Sequence, residues 1–417
     1  MNYFLGYKCS LCAMEYDSSH IQYTCPKDGG NLDVVLDYAT IRRNFQPDDI
    51  SLMVEQSLWR YLPLLPVSEP KRRRTPLRAA GWTPIYSPQR LAVELGLQKL
   101  WIKDESRNPT ASFKDRASAL VVARSQEIGV EVVVTASTGN AGAALAGMAA
   151  AVDQKAVIFA PRNAPAAKIA QLLVFGAQVF LVDGTYDDAF DLSIQASEEF
   201  SWYCRNTGYN PFTAEGKKTA AFEIWELIHS GVLMHNPTSP LNIFVSVGDG
   251  NIISGIHKGF KDLEMLGWIN HMPRLYGVQA EGSAAIANAF DAGQETINPV
   301  SANTLADSIS VDLPRDGVRA VRACRETGGS YVRVTDQEIL DSIAALGKAG
   351  IFAEPAGAAA YAGLQRLVKL GRFSKQDPVL VINTGNGLKD IKAAMECVPH
   401  APVIEPSLKS LIKALGY

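Results

Sequence analysis

The chain has 417 residues, 47% of them hydrophobic and 20% charged, and its formal net charge is −3 at pH 7. This length allows a large core in two or three domains. Because the net charge is slightly negative, we expect no broad positively charged surface that would bind nucleic acid. We interpret the basic run at residues 71–74 as a solvated linker. No apolar stretch would cross a bilayer and the first residues do not form a signal peptide, so we expect a cytoplasmic protein that binds neither membrane nor nucleic acid.

Three cysteines near the N-terminus have the spacing of a metal-binding ribbon. Cys9 and Cys12 form a Cys-x2-Cys pair, and Cys25 begins "CPKD", which puts Asp28 in the place of a fourth ligand. Tetrahedral zinc accepts carboxylates as well as thiolates. Two interpretations remain open: a zinc site made of these four residues, or a small β-ribbon over residues 1–40 without metal. We expect the ribbon without metal.

Beyond a helical linker at residues 41–80, short β-branched runs alternate with segments of helical period. The runs are "KLWIK", "EVVVTA", "KAVIFA", "QVFLV", "NIFVSV", "RLYGVQ" and "PVLVIN". Continuous apolar strands separated by helices predict an α/β fold whose parallel sheets are buried on both faces. Ligands of such folds bind where loops leave the carboxyl ends of the strands. Those loops are therefore the candidate site.

The first candidate is the lysine of "NPTASFKDR", residues 108–116. The turn residues here and the period of "FKDRASALVVARSQEIG" place Lys114 in the first turn of a helix. A cation at a helix N-terminus loses about 0.3 to 1 kcal/mol. A desolvated lysine there is a better nucleophile, because its charged form is disfavoured. The alternative is a solvated surface lysine offset by Asp115.

Two further loops carry polar groups at predicted helix starts. In "STGNAG", Ser137 and Thr138 could bind a carboxylate, and Asn140 could donate to a phenolate oxygen. A plain capping turn is the alternative. After "NIFVSV", the backbone amides of a glycine-rich turn could bind a phosphate. That turn consists of Gly248, Asp249, Gly250 and Asn251.

The last strand ends in "NTGNGLKD", where Thr384 offers a neutral hydroxyl. The glycine-rich turn at 248–251 does not match the dinucleotide pattern, since Ile253 stands at the third glycine position. An amine, an amide, a phosphate cradle and a hydroxyl at equivalent strand ends are together the groups that pyridoxal 5′-phosphate requires.

These motifs resemble the pyridoxal-phosphate enzymes of the tryptophan-synthase-like fold, fold type II, and among them the threonine synthase family. The similar segments are "GWTPIY", "LWIKDESRNPTASFKDR", "STGNAG", "TAEGKKTAAFEIWE", "VGDGNIISGIHKGF", "GVQAEG", "IFAEPAGAAA" and "NTGNGLKD". The resemblance implies a two-lobed catalytic body at residues 81–417, with a smaller mobile lobe near 118–225. It also implies a homodimer that acts on a small amino-acid substrate.

The resemblance further implies a role for each candidate residue. Lys114 would bind the aldehyde carbon of the cofactor and later carry protons, Asn140 would contact the ring oxygen, and residues 248–251 would hold the phosphate. Thr384 would meet the ring nitrogen. Because a neutral hydroxyl does not keep that nitrogen protonated, elimination and replacement are favoured over transamination. The substrate carboxylate would be bound by Ser137 and Thr138.

Three positions depart from the family pattern. Ala141 replaces a hydroxyl residue, Thr213 replaces an arginine that binds the substrate phosphate, and Ala111 replaces a glycine. A hydroxyl does not substitute for a bidentate arginine. Lys217, in the usual glutamine position, is expected to compensate.

Three functions remain open. The first is threonine synthase acting on O-phosphohomoserine. The second is a related lyase or β-replacement enzyme, such as a threonine or serine dehydratase or a cysteate-synthase-like enzyme; Ala141 and Thr213 favour it. The third is a non-catalytic amino-acid-binding paralogue, against which an intact Lys114 argues.

Overall fold

The computed structural model describes residues 3–20, 23–137, 139–162, 164, 166–233 and 239–416. The predicted α/β class is confirmed, because these residues form three sheets flanked by helices. The strands are β1 (Phe4–Cys9), β2 (Glu15–Asp17), β3 (Leu32–Leu36), β4 (Ile85–Tyr86), β5 (Leu100–Asp104), β6 (Val132–Ala136), β7 (Lys155–Pro161), β8 (Gln178–Val182), β9 (Tyr203–Cys204), β10 (Asn242–Ser246), β11 (Arg274–Ala280), β12 (Ser330–Val334) and β13 (Val379–Asn383).

The helices follow the strands along the chain. They are α1 (Tyr38–Asn44), α2 (Pro47–Ser51), α3 (Gln89–Leu95), α4 (Lys114–Glu127), α5 (Asn140–Ala150), α6 (Ala166–Val174), α7 (Tyr186–Glu199), α8 (Phe212–His229), α9 (Asn251–Met265), α10 (Ala285–Asp291), α11 (Gly317–Glu326), α12 (Asp336–Lys348), α13 (Pro355–Lys369), α14 (Ile391–Glu396) and α15 (Leu408–Leu415). Among the residues with described positions, none of these helices combines the length and the apolar content that a membrane crossing needs.

The largest sheet has six strands in the order β12-β11-β10-β13-β5-β4. Its strands are parallel except for β4, which pairs antiparallel with β5. Alternate residues of β13 enter two different hydrophobic clusters: Leu380 and Ile382 join one, and Val379 and Val381 join the other. The sheet is therefore covered on both faces, which explains why β13 is apolar at every position before its last.

A second sheet has four parallel strands in the order β8-β7-β6-β9 and lies within residues 132–204. It is also covered on both faces, since Val133 packs in one cluster while Val132 and Val134 pack in another. The turn after β6 begins α5, just as the turn after β10 begins α9. Both sheets thus present helix N-termini at the carboxyl ends of their strands.

The N-terminal residues form a separate antiparallel sheet in the order β2-β1-β3. Its buried side chains, including Tyr7 and Val34, belong to the main hydrophobic cluster. Phe4 contacts Phe212 of α8 edge to face, with ring centroids 5.7 Å apart. The sheet is therefore packed onto the body rather than held at a distance from it.

Behind the start of α4 lies a buried cluster of four charged side chains. Arg116 donates to Glu105 Oε2 at 2.7 Å and to Glu223 Oε2 at 2.8 Å, and Lys103 Nζ donates to Glu223 Oε2 at 2.6 Å. All four side chains are at most 3% exposed. Burial alone would raise the pKa of Glu223, but Arg116 and Lys103 lower it to about 2. The cluster joins β5, α4 and α8 through two balanced pairs of charges.

We predict that Glu223→Gln lowers the free energy of unfolding by about 3 to 5 kcal/mol, because it leaves a buried cation uncompensated. Urea unfolding at pH 7 measures this loss. The loss should shrink as the pH falls from 4.5 towards 2, where the wild-type carboxylate also becomes protonated. Glu264→Gln is the control, because Glu264 is exposed on α9. An equal effect of both substitutions would contradict this view of the cluster.

Candidate active site

A cavity of about 750 Å³ lies between the two parallel sheets. Its walls come from the loops that follow β5, β6, β10 and β13 and from α8. Thr138, predicted to bind a carboxylate, lies outside the described residues. The cavity brings together every other residue predicted for cofactor or substrate: Lys114, Ser137, Asn140, Lys217, Gly248, Asp249, Gly250, Asn251 and Thr384.

Lys114 is the first residue of α4, as the sequence predicts. The turn before it is closed by Asp115, which accepts a hydrogen bond from Thr110 N at 2.6 Å, and by Phe113 N, which donates to Thr384 O at 2.9 Å. The half-buried Lys114 amine has no hydrogen bond or ion pair to any described residue. Burial lowers its pKa, an effect that Glu354 opposes. The amine is thus free to react and more readily neutral than an exposed lysine.

Residues 248–251 form the turn between β10 and α9, with Gly250 as the N-cap at φ 93°. A Cβ on Gly248 would lie 2.7 Å from Ile309 Cα, and one on Gly250 would lie 2.6 Å from Asp316 O. Only glycine therefore fits at either position. The turn leaves the first amides of a 15-residue helix facing the cavity, which is an arrangement that binds a phosphate.

The acidic residue in this turn is held by the neighbouring backbone. Asp249 Oδ1 accepts a hydrogen bond from Arg315 N at 2.6 Å, and Asp249 O accepts one from Asp316 N at 3.0 Å. Burial raises the pKa of the Asp249 carboxyl to about 6. The carboxyl therefore takes up a proton more readily than an exposed aspartate, and protonation would remove its repulsion of a phosphate beside it.

Lys217 brings a positive charge to this turn. It is fully buried on α8, and its Nζ donates to Oδ1 of Asn251, while Nδ2 of Asn251 donates to Asp316 Oδ2 at 2.6 Å. No ion pair joins Lys217 to a carboxylate in the part of the chain that the structure describes. Burial lowers its pKa well below the usual value, and the nearby cations Arg205 and Lys114 lower it further. A bound anion would relieve this unfavourable burial.

Asn140 contacts a buried acid that the sequence analysis does not single out. Its Nδ2 donates to both carboxylate oxygens of Glu354, at 2.8 and 2.9 Å. Glu354 is the N-cap of α13, and burial raises its pKa although the hydrogen bond from Asn140 opposes this. The signal in the sequence is "AEPAG", an acid directly before a proline at the start of a helix.

Thr384 follows β13 at the centre of the six-stranded sheet, and its side chain lines the cavity. The residues with described positions offer its hydroxyl no hydrogen bond, so the hydroxyl is available to a ligand. A free amine, a glycine cradle at a helix start and a neutral hydroxyl around one cavity fit pyridoxal 5′-phosphate.

The three departures from the family pattern have different structural outcomes. Ala141 lines the cavity. Thr213 does not line it; it is buried, and its hydroxyl donates to Asn210 O at 2.7 Å, with Asn251 Oδ1 as a second acceptor within reach at 3.2 Å. Ala111 has φ 65°, a left-handed conformation that costs an alanine about 1 kcal/mol and a glycine almost nothing.

Residues 77–385 match the family described as pyridoxal-phosphate dependent enzyme. The chain belongs to this family. Within it, the chain is 37% identical over 411 residues to a threonine synthase of Methanocaldococcus jannaschii and 36% identical over 412 residues to one of Methanosarcina acetivorans. Each alignment covers 98% of both chains. The resemblance that the sequence motifs indicate is therefore confirmed.

The fold is shared with solved pyridoxal-phosphate enzymes of fold type II. The processed threonine deaminase isoform 2 of Solanum lycopersicum superposes with a TM-score of 0.65 at 24% identity, covering 80% of this chain and 92% of that one. The predicted fold type and the predicted cofactor, pyridoxal 5′-phosphate, are both confirmed for this member of the family.

We predict that borohydride reduction of the pyridoxal-phosphate-loaded protein labels the peptide containing Lys114, and that Lys114→Ala abolishes the label. The reason is that Lys114 lines the cavity and its amine forms no hydrogen bond or ion pair with any described residue. Burial lowers the pKa of the free Lys114 amine, so in the protein without cofactor this amine is more readily neutral, and able to form the imine, than an exposed lysine. Peptide mapping by mass spectrometry reads out the site.

The control is Lys261→Ala, since Lys261 is exposed on α9. Equal labelling of the Lys114→Ala and wild-type proteins would refute the assignment.

Proposed function

We propose that this enzyme is a threonine synthase that converts O-phosphohomoserine and water to threonine and phosphate. The observation that carries the proposal is the cavity in which the Lys114 amine and the Thr384 hydroxyl meet the 248–251 cradle and the buried amine of Lys217, which pairs with no carboxylate among the described residues. The two relatives of nearly equal length that bear the name threonine synthase support it.

Pyridoxal 5′-phosphate, when bound, supplies an electron sink for bonds to the substrate's α carbon. Lys114, Asn140, Thr384 and the amides of residues 248–251 would hold it. Once its amine is released by the substrate, Lys114 would remove protons from the α and β carbons and would return protons to the α and γ carbons, because the γ carbon ends as a methyl group. Ser137, at the entrance to α5, would bind the substrate carboxylate together with Thr138.

The neutral Thr384 directs the type of reaction. A hydroxyl does not hold a pyridine nitrogen protonated as a carboxylate does, so transamination is disfavoured and loss of a group from the γ carbon is favoured. Water must then add at the β carbon. The chain therefore has to admit water at a defined stage rather than exclude it throughout.

We propose that closure of a smaller lobe, near residues 118–225, controls this access. Contacts that would form on closure already join the two sides: Arg315 Nη2 to Asp187 Oδ1 at 2.8 Å and Lys389 Nζ to Gln171 Oε1 at 3.0 Å. Asn140 and Glu354 add a third contact across the same gap.

The homodimer that the resemblance implies and the cytoplasmic location that the sequence predicts are part of this proposal. Every cysteine of the chain is described and none forms a disulfide, in keeping with a reducing compartment.

A second candidate is a dehydratase or a cysteate-synthase-like enzyme. The observation that favours it is Thr213, because its hydroxyl is engaged inside the protein and leaves no arginine for a substrate phosphate. A non-catalytic paralogue is disfavoured by the free amine of Lys114.

We predict phosphate release from O-phosphohomoserine, with threonine as the amino-acid product, and no phosphate from phosphoserine with sulfite. Incubation with threonine alone should give little 2-oxobutyrate. A phosphate assay measures the phosphate released, and chromatography measures threonine and 2-oxobutyrate. Oxobutyrate from threonine without phosphate from either ester would reject the proposal in favour of the dehydratase.

We predict that Lys217→Gln raises KM for O-phosphohomoserine about 10- to 100-fold, because a charge-assisted hydrogen bond contributes about 1.5 to 3 kcal/mol. The affinity for pyridoxal 5′-phosphate should change little. Steady-state kinetics and cofactor titration separate the two, with Lys261→Gln as the control. If cofactor affinity fell instead, Lys217 would bind the cofactor phosphate and not the substrate.

A further inference from the structure

The four N-terminal residues with metal-ligand spacing converge on one point. Cys9 and Cys12 lie at the turn between β1 and β2, and Cys25 and Asp28 lie in the turn before β3. Their ligand atoms all lie within 4.8 Å of one another. From the sequence we expect a ribbon without metal, but the geometry points to the other interpretation. We propose that Cys9, Cys12, Cys25 and Asp28 bind one zinc ion.

The distances match the edges of a tetrahedron around zinc. With zinc–sulfur bonds of about 2.3 Å, two thiolates on one ion lie roughly 3.8 Å apart. Cys12 Sγ and Cys25 Sγ are 3.7 Å apart, and Cys9 Sγ lies 3.3 Å and 3.7 Å from the two oxygens of Asp28. These separations are far too long for a disulfide, whose sulfur atoms lie about 2.0 Å apart. A shared cation explains the arrangement.

The first turn has a backbone geometry that points its ligands inwards. Leu11 N donates to Cys9 Sγ at 3.3 Å, and Ala13 N donates to Cys9 O at 3.1 Å. Ala13 adopts φ 59°, a conformation that is costly for alanine by about 1 kcal/mol. An amide donor to a sulfur is favourable when that sulfur is a thiolate, as it is on a metal.

The second turn repeats this pattern around the other pair of ligands. Gly29 N donates to Cys25 O at 2.8 Å, and Gly30 N donates to Asp28 Oδ1 at 2.9 Å. A Cβ on Gly30 would lie 2.8 Å from Cys9 Sγ and 2.9 Å from Asp28 Oδ1. Only glycine leaves room among the ligands.

A neighbouring tyrosine and the burial of two cysteines support the cluster. The hydroxyl of Tyr16 lies 2.9 Å from Cys25 Sγ, so it can donate to a thiolate there. Cys9 and Cys25 are each 2% exposed, whereas Asp28 is exposed. Two of the three thiols are therefore shielded, while the half-buried Cys12 and the exposed Asp28 leave an ion a path of entry. None of the four ligands lines the active-site cavity, so the zinc would be structural.

The ribbon supports the loop that lies behind the phosphate cradle. Asn31 Nδ2 donates to Arg315 O at 3.1 Å, and Arg319 Nη1 donates to Leu32 O at 3.2 Å. The same loop holds Asp249 through Arg315 N. Loss of zinc should therefore loosen a segment that positions the cofactor, without removing any group from the cavity.

The test is zinc content of the full-length protein, purified without chelators and analysed by mass spectrometry. We expect one zinc per chain in the wild type. The control variant Cys397→Ser should also bind one zinc, because Cys397 lies near the C-terminus and is not one of the four ligands. Cys12→Ser should lose the metal. Asp28→Ala should raise the zinc dissociation constant at least tenfold, as even outer-shell changes cost about 10- to 100-fold. Equal zinc in Cys12→Ser and wild type would refute the site.

Unfolding of the variants does not prevent the test, because the wild type provides a second measurement. Titration with p-hydroxymercuribenzoate should release zinc as the three ligand thiols react. Cobalt in place of zinc should give an intense thiolate-to-metal absorption band. Less than a tenth of an equivalent of zinc after supplementation, with no cobalt–thiolate band, would overturn the proposal. Neither readout depends on catalytic activity.

Discussion

The buried pairing of Arg116 with Glu105 and Glu223 is the constraint on which the active site depends. Arg116 lies two residues after Lys114, so the ion pairs that hold it fix the first turn of α4 and with it the Lys114 amine. Glu223 lies on α8, six residues after Lys217. One cluster therefore positions both lysines that reach the cavity. Such a cluster need not stabilise the fold more than apolar side chains would. We infer that its role is to fix one relative position of β5, α4 and α8.

The sequence predicts the site well where the fold is regular. Lys114, Gly248 and Thr384 follow β5, β10 and β13, which are neighbours in one parallel sheet, so their loops meet at one edge. The apolar strands and the glycine-rich turns that follow them are short local patterns, so the sequence alone indicates which loops meet there. Pairings between distant segments are different. Asn140 and Glu354 are 214 residues apart, and no local pattern indicates that an amide and a buried carboxylate will meet.

The departures from the family pattern also combine a feature that the sequence shows with contacts that only the structure shows. That Thr213 lacks the charge of arginine can be read from the sequence, but the engagement of its hydroxyl with Asn210 and Asn251 depends on how α8 packs against α9. The N-terminal ligands are similar. Their spacing suggests zinc, yet the choice between a metal site and an empty ribbon depends on interatomic distances between two turns, such as the 3.7 Å between Cys12 and Cys25.

The buried charged residues around Arg116 differ from the buried Lys217 of the cavity in whether each has a partner of opposite charge. In the cluster around Arg116, two cations face two carboxylates, and all four side chains are at most 3% exposed. In the cavity, Lys217 is buried and forms no ion pair with a carboxylate among the described residues, and the N-terminus of α9 adds partial positive charge beside it. Burial lowers the pKa of Lys217 well below its usual value, because the charged amine is desolvated there. In the same turn, the Asp249 carboxyl accepts a hydrogen bond from a backbone amide, and burial raises its pKa to about 6. A phosphate group bound at this helix N-terminus would stabilise the charged form of Lys217, so the cavity favours ligands that carry phosphate.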